Sequence, residues 1–258
     1  MKRLVVLAAV ATLVASAVHA QTRPIAPDAL RSGIDFAGRD VRAMQSDDGS
    51  NPAMLWVERG KQLFEQAAEN GAASCGSCHA GDTLRGIATR YPAYDAGAKR
   101  VIDLEDRINA CRTRFQRMPF FARGSDDLLA LTAFLANASR GMPVHVSIAG
   151  GARPAFERAA RFYRARRGQM NLSCSNCHDA NYDRRLLGET ISQGHGTAFP
   201  AYRLEWQTLG SLQRRLRACL FGIRARVPPE GTQALTELEL YLAWRADGLP
   251  IEAPGVRR

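Results

Sequence analysis

Two stretches, Cys75-Gly-Ser-Cys78-His79 and Cys174-Ser-Asn-Cys177-His178, repeat one pattern in matching surroundings. At equal distance before them stand Glu58-Arg59 and Glu157-Arg158, which open the helical-looking stretches VERGKQLF and FERAARFY. After them come Pro92-Ala93-Tyr94 and Pro200-Ala201-Tyr202, then basic stretches ending in a lone cysteine, LEDRINAC at Cys111 and LQRRLRAC at Cys219. Both copies close on an apolar-periodic run and a Gly-x-Pro stop, DDLLALTAFLANASRGMP and TELELYLAWRADGLP. A chain written twice in this way reads as two tandem units of one plan.

The start of the chain bounds where it works. Residues 1–20 combine a charged start (Lys2, Arg3), an apolar run and a small-residue ending, Val18-His19-Ala20. This is the pattern of a cleaved secretion signal, and its apolar run is shorter than the ~20 residues that span a bilayer. No later stretch is apolar enough to span, so a soluble periplasmic protein is expected. The formal charge is +10, of which Lys2 and Arg3 belong to the leader. Export argues against nucleic acid. An acidic protein partner or a small anion fits a positive field better.

In an exported chain, C-x-x-C-H is the attachment signature of c-type haem. Two thiols add to the vinyl groups as thioethers, and the adjacent imidazole becomes an iron ligand. The expectation is two covalently bound haem c groups, on Cys75, Cys78 and His79 and on Cys174, Cys177 and His178. A zinc ribbon would need the two cysteine pairs closer in sequence. A thioredoxin-like redox pair would need a βαβ surround that is missing here. Leu128, Leu131 and Leu135 recur at helical spacing, as do Leu238, Leu242 and Arg245 beside Tyr241. Glycine then proline terminates each run, and no strand-like alternation of comparable length occurs. The fold class expected is therefore mainly α: two tandem pseudo-repeated cytochrome c-like haem domains with an extended N-terminal lead-in. The leader is 1–20, the lead-in 21–51, the first domain 52–147 and the second 153–258. They join near Val146–Pro154, where Ala149-Gly150-Gly151 marks a linker.

Each iron needs a sixth ligand or an open site. Met118, Met142, Met170, His145 and His195 have no matched counterpart in the other copy. Only Cys111 and Cys219 match, and a thiolate is a strong iron ligand that lowers the reduction potential. A single Cys111–Cys219 disulfide is the competing account in an oxidising compartment.

A leader, two C-x-x-C-H motifs in duplicated units and a lone cysteine after each resemble the SoxA family over essentially the whole mature chain. The most specific element is Arg215-Leu216-Arg217-Ala218-Cys219. The resemblance implies a dihaem subunit of an L-cysteine S-thiosulfotransferase with His/Cys ligation of both irons, by His79/Cys111 and by His178/Cys219. It implies a catalytic cysteine persulfide at Cys219 and a heterodimer with a SoxX-like monohaem cytochrome c. It further implies oxidative conjugation of thiosulfate to a cysteine of the SoxYZ carrier protein, with two electrons passing to cytochrome c.

The residues add to that picture. Arg215 lies four residues before Cys219, on the same helical face. A guanidinium there can bind a sulfonate through paired hydrogen bonds and favours the thiolate. Arg214 and Arg217 read as solvated surface. The first copy has Arg107 at the equivalent place, with Asp106 and Asn109 flanking it, so the second site is the better anion binder. His195, in a Gly-His-Gly loop, reads as a surface residue, Tyr94 and Tyr202 as packing beside the haem edges, and Trp56, Trp206 and Trp244 as core. The alternatives are a non-catalytic dihaem periplasmic electron carrier, with an inert Cys219, and a dihaem peroxidase, which would need an open distal position.

Overall fold

The computed structural model describes residues 23–79 and 81–258, so the expected leader lies outside the described residues. After α1 (Arg39–Ser46) the chain runs through α2 (Met54–Glu65), the one-turn α3 (Cys75–Cys78) and a hairpin of β1 (Ala93–Asp95) and β2 (Arg100–Ile102). Next come α4 (Leu104–Phe115) and α5 (Asp126–Asn137). The chain continues through α6 (Arg153–Arg164), α7 (Cys174–His178), a small hairpin of β3 (Arg185–Leu186) and β4 (Glu189–Thr190), then β5 (Ala201–Arg203) and β6 (Thr208–Gly210). It ends with α8 (Leu212–Gly222), α9 (Gln233–Arg245) and β7 (Gly255–Arg257). No helix among the described residues is long and apolar enough to cross a membrane.

The apolar runs become the crossing helices that frame each cysteine helix. In α5, Leu128, Leu131 and Leu135 are buried, each worth about 2 kcal/mol of transfer free energy. Ser125 caps the helix by accepting from the Leu128 amide. α2 crosses α5 at Gly60, where a β-carbon would overlap the Ala130 backbone. α6 meets α9 instead through aromatic rings: Phe156 lies edge-on to Trp244 at 4.9 Å, and Tyr163 lies 5.0 Å from Tyr241. Both Glu-Arg pairs send their arginine to the facing closing helix, Arg59 to Asp127 and Arg158 to Glu237.

The two halves share one core. Val101, Ala136 and Val144 pack in the same cluster as Phe156, Tyr163 and Tyr241. The two Gly-x-Pro stops hydrogen-bond to each other, the Val144 amide to the Leu249 carbonyl at 2.9 Å and the Ile251 amide to the Met142 carbonyl at 2.9 Å. Between the halves lies a cavity of about 120 Å³ lined by Ala88, Asp103, Glu105, Thr197, Ser211 and Glu239, among others. Beside it the Arg123 guanidinium bonds Asp103, Glu105 and Asp106. Gln213 of α8 donates to Asp103 at 3.2 Å and to Thr236 of α9 at 3.3 Å. One arginine cannot neutralise this many carboxylates. Burial, with Asp103 nearby, pushes the Glu105 carboxyl up to about 8, and burial raises that of Glu239 as well.

Five sequence expectations change here. The segment 146–154 is built into the interior: Val146 and Ala152 are buried, and the Tyr94 ring lies against Gly151. The lead-in contains α1, whose Gln45 side chain accepts from the Val256 amide of β7 at 3.0 Å. The hairpins escape pattern reading because strands of two or three residues are too short for alternation to register. His195 is buried, at 8 % exposure, rather than on the surface. Of the three tryptophans expected in the core, Trp244 is buried and Trp56 and Trp206 are partly covered.

Candidate haem centres

The cysteine helices owe their start to serine caps. Ser74 accepts from the Ser77 amide at 3.1 Å in α3, and Ser173 accepts from the Asn176 amide at 3.2 Å in α7. In α7 the Ser173 amide donates back to the Asn176 side chain at 2.9 Å, completing a capping box. A single helical turn then presents Cys75 with Cys78, and Cys174 with Cys177, on one face.

No disulfide links any two of the six cysteines, which gather into two groups. Burial raises the Cys174 thiol to about 11, with Cys219 adding to the shift, and the same two causes raise Cys177. Burial likewise raises Cys75, and Cys111 is the next contributor. Cys111 therefore lies within electrostatic reach of Cys75, and Cys219 of Cys174 and Cys177, and no disulfide joins Cys111 to Cys219. The methionine and histidine candidates are placed differently. Met170 is exposed, and His145 is an exposed ring bonded to Asp247 at 2.8 Å.

Around His178 the chain builds a complete outer layer. Its Nδ1–H donates to the Ser192 carbonyl at 2.8 Å, which leaves Nε2 for a metal, the usual second-layer arrangement of a ligating histidine. Gly194, at φ +75°, lies flat on the ring, and a β-carbon there would come within 2.7 Å of the imidazole Cγ. Asp179 accepts from Tyr163 at 2.9 Å and pairs with Arg245 of α9, which also donates to the Gln193 carbonyl at 2.8 Å. The lead-in locks the same loop: the Arg31 amide donates to Gln193 Oε1 at 2.8 Å, and Gln193 Nε2 donates to the Ala29 carbonyl at 2.9 Å. His195 donates through Nε2 to Gln193 at 3.1 Å, and burial beside Arg245 pulls its pKa down to about 3. It is a neutral structural member of the loop. The His79 ring, by contrast, is exposed and makes no hydrogen bond among the described residues.

These residues fit a covalent haem. Two thiols on one turn, an imidazole whose Nε2 is left free and a nearby thiol could supply the attachment and axial groups at the second centre. The first centre carries the same side chains in a more open setting.

The arginines differ more than the cysteines do. Arg214 stacks 4.1 Å above Trp206. Arg217 donates to the Pro228 carbonyl at 3.0 Å and pairs with Glu230 at 3.1 Å. The Arg215 side chain, a turn before Cys219, has no hydrogen bond or ion pair among the described residues. Its equivalent, Arg107, is engaged by the Tyr91 hydroxyl at 3.1 Å and by Asp95 at 2.5 Å. Arg203 stands outside the sequence expectations. It ends β5, is nearly buried and pairs with Glu205 at 2.7 Å. The signal for it was present in the repeat: Pro-Ala-Tyr is followed by Asp95 in one copy and by Arg203 in the other.

Comparison with known proteins agrees with this geometry. Residues 59–144 match the SoxA/TsdA cytochrome c domain family. The L-cysteine S-thiosulfotransferase subunit SoxA of Rhodovulum sulfidophilum is 35% identical over 232 residues, covering 89% of this chain and 81% of that protein. The same subunit from Paracoccus pantotrophus is 34% identical over 231 residues, covering 89% and 80%. A crystal structure of SoxXA from P. pantotrophus superposes with a TM-score of 0.84 at 34% identity, covering 88% of this chain and 86% of that one.

Proposed function

The chain belongs to the SoxA family, and on that premise we propose that it is the dihaem subunit of a periplasmic L-cysteine S-thiosulfotransferase. Its two cytochrome c-like domains each carry one haem c, ligated by His79 and Cys111 and by His178 and Cys219. A SoxX-like monohaem cytochrome c is its partner subunit, and a SoxYZ carrier accepts the product. The observation that carries the assignment of the active centre is the unpaired Arg215 one turn from Cys219, where the first centre has an arginine already bound to Asp95.

The chemistry follows from these groups. Thiosulfate presents its sulfonate to Arg215 through charge-assisted hydrogen bonds, leaving its sulfane sulfur toward Cys219. A sulfur–sulfur bond forms between the Cys219 thiolate, or its persulfide, and that sulfane sulfur, and two electrons leave. An electron-accepting cytochrome c takes them up one at a time. The haems, when bound, supply the one-electron relay that such a split of an electron pair requires. The carrier's cysteine thiolate then attacks the sulfane sulfur, breaks its bond to Cys219 and departs with the S–SO₃ group. Cys219 is returned as a thiolate. His178 is held by Ser192, and Asp179 by Arg245 and Tyr163, which braces the histidine of this centre.

The test is Cys219→Ala in the complex with its partner subunit. Sulfur transfer to the carrier is lost while both haems remain attached by mass; transfer at the wild-type rate would overturn the assignment.

A further inference from the structure

We propose that Arg203 is a second anion-positioning residue of the Cys219 centre, which forms with Arg215 a two-guanidinium receptor for a divalent sulfur oxyanion. The inference rests on the function proposed above and deepens it.

Equivalent positions in the two halves carry the argument. In the first half, strand β1 ends on Asp95, whose carboxylate reaches across to Arg107 on α4 at 2.5 Å. A side chain at the end of this strand therefore reaches the arginine one turn before the ligand cysteine. In the second half the strand of the same register, β5, ends on Arg203, and the arginine on α8 is Arg215. An ion pair has become two like charges. Burial and then the charge of Arg215 depress the Arg203 pKa, and Cys219 acts on it in the opposite sense. Arg203, Arg215 and Cys219 thus lie within electrostatic reach of one another.

Two guanidiniums within electrostatic reach of each other in a partly buried place repel, and a dianion held by both removes that repulsion. One carboxylate, Glu205, stands against the two guanidiniums, so the pair keeps an uncompensated positive charge. Glu205 takes the Nε and Nη2 edge of Arg203 through one oxygen, so Nη1 has no partner among the described residues. Trp206 lies 5.0 Å below Arg203 and 4.1 Å below Arg214, fixing the side from which both approach. Gly210 leaves room for that indole, since a β-carbon there would overlap Trp206. Beyond β5, β7 adds a parallel strand, with Arg203 opposite Arg257, so the strand end is braced from both sides. The β1–β2 hairpin has no third strand among the described residues. Bidentate geometry suits two oxygens of a sulfonate, so the receptor selects anions such as thiosulfate over neutral sulfur compounds.

The experiment uses the haem-loaded complex with Arg203→Asp, Arg203→Gln and Arg203→Lys. Arg203→Asp recreates the pairing of the first centre and captures Arg215. Thiosulfate KM rises about a hundredfold in Arg203→Asp and about tenfold in Arg203→Gln, one decade for each guanidinium withdrawn from the anion, with kcat changed little. Arg203→Lys stays near wild type. Without turnover, titration with thiosulfate or sulfate perturbs the absorption of the Cys219-side haem in wild type and not in Arg203→Asp. An unchanged KM in both Asp and Gln variants overturns the inference. So does a spectral or potential shift in the absence of any anion with KM unchanged, which would make Arg203 a holder of a haem carboxylate. If wild type transfers no sulfur yet binds anions only with Arg203 present, the proposed function falls and this inference stands. Should Arg203→Asp fail to fold, Asp95→Asn tests the same logic in reverse: freeing Arg107 gives the first centre an anion response that wild type lacks.

Discussion

The two cysteine centres use one set of parts and differ in what surrounds them. At the first, Arg107 is occupied by Asp95 and Tyr91, and the histidine ring is exposed with no hydrogen bond among the described residues. At the second, Arg215 is unpaired, His178 is fixed by Ser192 and covered by Gly194, and the loop that does this is tied to α9 and to the lead-in. The same cysteine and histidine pattern stands in both halves, and what differs is the setting of the arginine and the imidazole. In the proposed function, that difference separates an electron-relay centre from one that receives an anion.

The largest expected effect tests that separation at its centre. Cys219→Ala lowers sulfur transfer by at least about a thousandfold, the scale of losing an essential nucleophile, whereas Cys111→Ala stays within about threefold. Initial rates with purified carrier measure both; equal losses would mean that the centres are not differentiated. Next in size, Arg215→Ala lowers kcat/KM about tenfold, the decade set by one guanidinium withdrawn from the anion. Arg107→Ala leaves transfer intact and costs about 1 kcal/mol of stability because its hydrogen bonds to Tyr91 and Asp95 go, seen as a lower urea midpoint.

How far these differences were legible beforehand depends on their range along the chain. The cysteine motifs, the crossing helices with Leu128 or Leu238, and the Arg215–Cys219 spacing are local patterns, and periodicity exposes them. Local patterns cannot show that Arg31 pins Gln193, or that the two Gly-x-Pro stops pair with each other, because those interactions join distant segments. His195 looked superficial because glycines flank it; its burial follows from Arg245 and Gln193 closing over the loop. Arg203 was readable only by setting it against Asp95.

Two smaller effects sharpen the comparison. Gly194→Ala costs about 2 kcal/mol, since it combines a left-handed backbone with a clash against His178. Gly86, at φ +73°, meets only the flexible end of Met142, so Gly86→Ala lowers the melting temperature less and leaves both haem spectra unchanged. The pH-dependent effect lies between the centres. The Glu105 carboxyl is raised from an ordinary 4.5 to about 8 in the folded protein. Its contribution to stability is therefore fully present below the unfolded pKa and is lost as pH rises toward 8. Denaturant midpoints across pH 5–8 should fall more steeply in wild type than in Glu105→Gln.

The central claim, that Cys219 alone of the two matched cysteines carries sulfur, is tested most directly by mapping adducts. After oxidised holoprotein is treated with thiosulfate in the absence of carrier, peptide mass spectrometry should find added sulfur on the peptide containing Cys219 and none on that containing Cys111. Added sulfur on Cys111 at equal occupancy, or an unmodified Cys219 in protein that still loads the carrier, would contradict the account.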